Sequence, residues 1–208
     1  MIDRILAKRI VPVVVLDHAE SAEPLAEALL EGGLDIMEIT FRTAAAEESL
    51  RRIAARFPQI LLGAGTLLEK DQVRRAKDAG ASFGLAPGLN PEIVAAASEI
   101  GLEFSPGVMT PSDVERALAH GCKLLKFFPA EAAGGVAMLK ALAGPYAHTG
   151  VKFIPTGGVS VANLTDYLKL PIVAAIGGSW MVDKQLVNDG KWAEITRITR
   201  EALAAAAR

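Results

Sequence analysis

Lys126 stands inside the apolar run Leu124-Leu125-Lys126-Phe127-Phe128-Pro129, which otherwise has the composition of a buried β-strand. A lysine there must lose its charge, find a partner or perform chemistry. Burial disfavours an ammonium group, so a neutral amine becomes available near neutral pH, and such an amine condenses with a ketone to a Schiff base. The competing reading is a lysine whose stem is buried while its head snorkels to water at the strand end.

A second group of charged residues falls in Glu38-Ile39-Thr40-Phe41-Arg42. Period-two alternation puts Glu38, Thr40 and Arg42 on one face and Met37, Ile39 and Phe41 on the other. Arg42 offers a planar fork suited to a carboxylate, and Glu38 can move protons as a general acid or base. A structural ion pair, between these two or with a neighbouring strand, is the plainer alternative. Gly63-Ala64-Gly65-Thr66 adds a hydroxyl after glycines, although a turn or a helix cap explains Thr66 as easily. Ala86-Pro87-Gly88 reads as a tight turn. Two glycine pairs, Thr156-Gly157-Gly158 and Gly177-Gly178-Ser179, allow backbone N–H groups to approach an anion, with the Ser179 hydroxyl as a further donor. His18, His120 and His148 are not at metal-ligand spacing, and none is assigned to catalysis or to a metal.

The elements that must position these residues alternate along the chain. Runs rich in β-formers occupy 10–16, 36–41, 60–64, 82–86, 103–105, 123–128, 152–155 and 172–176, and helical periodicity fills segments such as 22–30, 47–56 and 71–79. Asn90-Pro91 and Thr110-Pro111 each place a capping side chain before a proline at the first helical position, with Asp113 completing an approximate capping box. Gly32-Gly33, Gly80, Gly101 and Gly121 follow helical runs, as left-handed caps do. Eight βα units in a short chain predict a single (β/α)8 barrel of the α/β class. A doubly wound open sheet is less economical, because the first strand is not followed by a dinucleotide-binding glycine fingerprint. In a barrel the functional groups gather at the C-terminal strand ends, where Glu38, Thr66, Pro87 and Thr156 all fall. The two glycine pairs then end strands seven and eight, a common phosphate position. Residues 1–8 are expected to form a short helix covering the barrel's bottom, and 194–208 a terminal amphipathic helix.

With 208 residues, 51% of them hydrophobic, the chain suits one domain over 1–208. A net charge of −2 gives no reason to expect nucleic acid or an anionic membrane as partner. The single Cys122 excludes an intramolecular disulfide framework and fits a reducing, cytoplasmic setting. The N-terminus lacks the apolar core of a signal peptide, and no apolar stretch approaches the length of a membrane span.

With these residues placed, the chain resembles the bacterial 2-dehydro-3-deoxy-phosphogluconate (KDPG) and 4-hydroxy-2-oxoglutarate (KHG) aldolases, from Val11-Pro12-Val13 through Gly177-Gly178-Ser179-Trp180. Its most specific pieces are Glu38-Ile39-Thr40-Phe41-Arg42-Thr43, Gly63-Ala64-Gly65-Thr66, Lys126-Phe127-Phe128-Pro129-Ala130-Glu131 and Pro155-Thr156-Gly157-Gly158. The resemblance implies a class I aldolase that needs no metal or cofactor, on a (β/α)8 barrel, assembled as a homotrimer. Its substrate would be a phosphorylated 2-oxo sugar acid, with pyruvate as a product.

Carried onto this chain, the resemblance implies that Lys126 forms the Schiff base and Glu38 shuttles protons. Arg42 and Thr66 would hold the pyruvyl carboxylate beside the Pro87 turn. Phe128 would pack over the pyruvyl group and Thr156 would meet substrate hydroxyls. Gly157, Gly158, Gly178 and Ser179 would take the phosphate. Phe41 stands where leucine is frequent in the family, and Ala86 where many members carry serine. The sister aldolase for the 6-phosphogalactonate epimer, a phosphosugar isomerase or synthase, and a non-catalytic phosphosugar-binding barrel are the alternatives. The last leaves Lys126 and Glu38 without a purpose.

Overall fold

Residues 1–207 are described by the computed structural model; Arg208, the end of the expected 194–208 helix, lies outside the described residues. Helix α1 (Ile2–Lys8) leads into β1 (Ile10–Val14) and α2 (Ala22–Glu31), then β2 (Ile36–Thr40) and α3 (Ala46–Arg56). Next come β3 (Leu61–Gly65), α4 (Lys70–Asp78), β4 (Phe83–Leu85) and α5 (Pro91–Glu99). Strands β5 (Glu103–Ser105) and β6 (Gly107–Val108) precede α6 (Pro111–Ala119), β7 (Leu124–Phe127) and α7 (Gly135–Tyr146). The chain ends with β8 (Lys152–Pro155), α8 (Leu164–Leu168), β9 (Ile176–Gly178), α9 (Lys184–Asn188) and α10 (Trp192–Ala206).

Capping chemistry sets several of these boundaries. The Asn90 side chain accepts from the Glu92 N–H, and Thr110 and Asp113 close a reciprocal capping box. Gly33, Gly80, Gly101 and Gly121 all take positive φ just beyond a helix end. A further box, Glu69 with Gln72, opens α4 without the serine or threonine that usually signals one.

All strand pairings are parallel, in one set ordered β5-β4-β3-β2-β1-β9 and another ordered β6-β7-β8. The sets adjoin at two places. Single bridges join Phe153 to Val173 and Thr156 to Gly177, between β8 and the β9 segment. Only Pro106 separates β5 from β6, so residues 103–108 pair with β4 first and β7 second. Proline has no N–H to donate, and the ladder changes partner at that residue.

Strands β1, β2 and β3 are buried at every position, as parallel strands covered on both faces must be. Met37 and Ile39 are wholly buried on one face of β2, with Glu38 and Thr40 on the other. The eighth strand departs from expectation. Residues 172–175 make only a bridge to β8, and the ladder to β1 runs over Ile176–Gly178 instead. Close approach decides this: a Cβ on Gly177 would lie 2.2 Å from Thr156 Oγ1, so only glycine fits the bridge.

Candidate active site

Lys126 projects from β7 and Glu38 from β2, and Lys126 Nζ donates to Glu38 Oε1 at 3.2 Å. Lys126 is 5% exposed and Glu38 1%, so the lysine does not snorkel. The partner of Glu38 is thus Lys126 on a distant strand, not Arg42 four residues along. Gly65 on β3 makes the space: a Cβ there would stand 1.8 Å from Glu38 Oε1. The Lys126 ammonium also lies 5.7 Å from the Phe128 ring centroid, within reach of the ring's negative face.

Arg42, just past β2, is exposed at the rim. Its Nε donates to Thr40 Oγ1 at 3.3 Å, and the buried Thr40 hydroxyl donates in turn to the Val14 carbonyl at 2.9 Å. Among the described residues the guanidinium makes that one hydrogen bond and no ion pair, which leaves its outer N–H groups for a ligand. Thr66 holds φ 60, a left-handed conformation costly for a β-branched residue. Arg42, Thr66, Pro87, Lys126, Phe128 and Thr156 line one cavity of about 180 Å³ together with Val13 and Thr40.

A second cavity of about 170 Å³ shares Val13, Arg42, Phe128 and Thr156 with the first and adds Gly157, Gly158, Gly178 and Ser179. Gly157 and Gly158 take φ 96 and φ 80. The carbonyls of Thr156, Gly157 and Gly158 accept from Ala130 N (2.8 Å), Glu131 N (3.0 Å) and Asn163 Nδ2 (3.2 Å). The N–H groups of Gly157, Gly158 and Ser179 meet no acceptor among the described residues. A loop with its carbonyls tied back and its amides unpaired is a ready anion cradle.

Ten of the eleven residues singled out from the sequence line these two adjoining cavities, and Glu38, which lines neither, is hydrogen-bonded to Lys126. Val13, Thr40, Val159 and Gly177 complete the lining. Thr40 shares the Glu38 face by alternation, which was the available signal; Val13 had none. None of the three histidines lines either cavity. Larger hollows beside Cys122 (about 350 Å³) and Arg9 (about 370 Å³) hold no buried lysine. Among the described residues no helix is long and apolar enough to cross a membrane.

Parallel strands bearing a buried lysine–carboxylate pair, a free arginine fork and an amide cradle at their C-terminal ends define an aldolase of the Schiff-base class. The family model for KDPG and KHG aldolase matches residues 1–198. The 2-dehydro-3-deoxy-phosphogluconate aldolase of Haemophilus influenzae is 45% identical, over 98% of this chain and 95% of its own length. The KHG/KDPG aldolase of Escherichia coli is 43% identical over 93% and 90%. The KDPG aldolase of Legionella pneumophila, whose crystal structure captured pyruvate as a covalent carbinolamine intermediate, superimposes with a TM-score of 0.93 at 39% identity, covering 97% of each chain. The chain belongs to the KDPG and KHG aldolase family.

Proposed function

We propose that this protein is a class I aldolase that cleaves 2-dehydro-3-deoxy-6-phosphogluconate to pyruvate and glyceraldehyde 3-phosphate, and 4-hydroxy-2-oxoglutarate to pyruvate and glyoxylate. The observation that carries this reading is the buried Lys126–Glu38 pair beside two adjoining cavities. The neutral Lys126 amine adds to the C2 carbonyl, and loss of water from the carbinolamine leaves a protonated imine. Glu38 supplies and removes the protons, directly or through water. Deprotonation of the C4 hydroxyl then lets the C3–C4 electron pair move toward the iminium nitrogen. The aldehyde leaves and an enamine remains on Lys126. Protonation at C3 and attack by water on the regenerated iminium release pyruvate and the free amine.

Arg42 and Thr66 hold the pyruvyl carboxylate beside Pro87, Phe128 packs against the pyruvyl group, and Thr156 meets the substrate hydroxyls. Gly157, Gly158, Gly178 and Ser179 take the phosphate. Spatial division supports these roles: Thr66, Pro87 and Lys126 lie at one cavity and the glycine pairs at the other. The gluconate epimer is preferred over the galactonate one on the strength of the full-length relatives. Faster cleavage of the galactonate epimer would reverse that preference.

We take the chain as one domain whose strands close into a (β/α)8 barrel. The bridges between β8 and β9, and the shared segment 103–108, support closure. Helix α1 covers the N-terminal mouth, a placement supported by Arg4, which donates to the Asp35 carbonyl (3.1 Å) ahead of β2 and to the Gln59 carbonyl (2.5 Å) ahead of β3. A homotrimer in the cytoplasm completes the proposal.

Borohydride added with pyruvate tests the chemistry. The expected result is inactivation with one reduced pyruvyl adduct, at Lys126. An unmodified Lys126, or label spread evenly over surface lysines such as Lys70 and Lys77, would sink the Schiff-base reading.

A further inference from the structure

Glu131 and Tyr167 form a contact that the cleavage chemistry does not use. The Tyr167 hydroxyl, from a fully buried ring on α8, donates to Glu131 Oε1. Glu131 lies five residues beyond Lys126, and its backbone N–H donates to the Gly157 carbonyl at 3.0 Å. Its side chain lies over the next residue: a Cβ on Gly158 would come within 2.6 Å of Glu131 Cγ and 2.7 Å of its Cβ. Asn163, immediately before α8, closes the other side by donating to the Gly158 carbonyl at 3.2 Å and accepting from Ser160 N at 2.8 Å.

The amide cradle is therefore clamped between the segment that follows the nucleophile and the helix that carries Tyr167. Gly157 and Gly158, both at positive φ, are conformationally free in themselves. Three outside contacts limit that freedom: the backbone bond from Glu131, the packing of its methylenes, and the Asn163 bond to the Gly158 carbonyl. Glu131 is an exposed residue whose flexible side chain would otherwise wander. The tyrosine hydroxyl holds it in one place. Burial first, and the Glu131 carboxylate second, push the Tyr167 hydroxyl pKa up, so the phenol remains a proton donor through the neutral range.

We infer that Glu131 and Tyr167 are positioning residues for the phosphate cradle, setting the protein's preference for a phosphorylated over an unphosphorylated 2-oxo acid without touching the reacting carbons. This rests on the aldolase reading above and adds the residues that adjust its distal specificity.

Two readouts separate the roles. The KM for 2-dehydro-3-deoxy-6-phosphogluconate reports the cradle, and the rate of pyruvate–borohydride labelling at Lys126 reports the nucleophile without any phosphate. Glu131→Ala and Tyr167→Phe are expected to raise that KM about tenfold with kcat changed less than about threefold. Labelling by pyruvate should stay within about twofold of the parent rate. Glu131→Gln keeps an acceptor oxygen for Tyr167 and the methylenes over Gly158, and should restore KM to near the parent value. Equal losses in KM and labelling, or no change in either, would overturn the inference while leaving the aldolase reading intact. If Glu131→Ala does not fold, Tyr167→Phe, which removes one oxygen, decides alone. A parent protein that neither labels with pyruvate nor cleaves the sugar acid removes the aldolase reading, and this inference with it.

Discussion

Glu38 Oε1 and Lys126 Nζ, 88 positions apart in sequence, lie 3.2 Å apart with almost no exposure. One belongs to the six-stranded set and the other to the three-stranded set, so the pair spans the interior. Each group satisfies the other at rest, and either becomes costly when its partner is removed. Lys126→Met should abolish cleavage and lower stability by about 3 kcal/mol, because it leaves Glu38 buried without compensation. Adding Glu38→Gln should recover much of that loss without recovering activity. Denaturant unfolding of the single and double variants checks this; a double variant less stable than Lys126→Met would contradict it.

Gly65→Ala should separate activity from stability. The added methyl would occupy the place of Glu38 Oε1, forcing a flexible carboxylate aside rather than the backbone. Loss of a positioned proton carrier predicts a fall in kcat of about 100-fold. Chemical unfolding should report a much smaller change. A fully active Gly65→Ala would mean that Glu38 works from another position.

Arg42→Lys replaces a planar fork by a point charge, and Thr40→Val removes the hydroxyl that accepts from Arg42 Nε. Both should raise KM, by about tenfold or more, for phosphorylated and unphosphorylated substrates alike, since every substrate carries the pyruvyl carboxylate. Steady-state kinetics on the two substrates decides it. An effect confined to the phosphorylated one would move Arg42 to the opposite end of the site.

Ser179→Ala, and a bulky residue at Gly158, should weaken the phosphorylated substrate more than 4-hydroxy-2-oxoglutarate, since on the proposed reading the phosphate occupies the second cavity. Competition by inorganic phosphate should weaken in parallel. Equal losses on both substrates would argue against an anion cradle between these loops.

Asp113 supplies the pH-dependent prediction. Burial works to raise its pKa, but hydrogen bonds from the backbone and side chain of Thr110 and from Met109 N outweigh it and hold the carboxyl below its ordinary value. A depressed pKa means that the carboxylate stabilises the fold fully above the unfolded value of about 4. That stabilisation is lost as pH falls through the lower, folded value. Asp113→Ala should therefore cost about 1 kcal/mol at pH 7, with the difference from the parent shrinking below about pH 4. A gap that widens on acidification would refute the assignment.

Much of this site was legible in the chain because single strands advertise their own anomalies. Lys126 is conspicuous among apolar neighbours, and the alternation of Glu38, Thr40 and Arg42 needs only a two-residue period. The caps at Asn90 and Thr110 are equally local. The Glu38–Lys126 contact was not legible, since nothing near either residue states which strand it will face. The alternative of a Glu38–Arg42 ion pair satisfied the same local chemistry. The eighth strand misled for a related reason. Residues 172–176 have β-forming composition, whereas the residues that pair with β1 end in two glycines selected by crowding against Thr156 and Trp180. The Tyr167–Glu131 contact left no local mark at all.

The placement of Lys126 and Glu38 on different strand sets has a bearing on how the molecule matures. A chain that has formed only one set has placed only one member of the pair, since Glu38 lies on β2 and Lys126 on β7. The pair forms only when the two sets dock, a step that joins residues 88 positions apart and so costs more loop-closure entropy than a local contact. On the proposed chemistry, cleavage activity should therefore return during refolding only once both strand sets are joined.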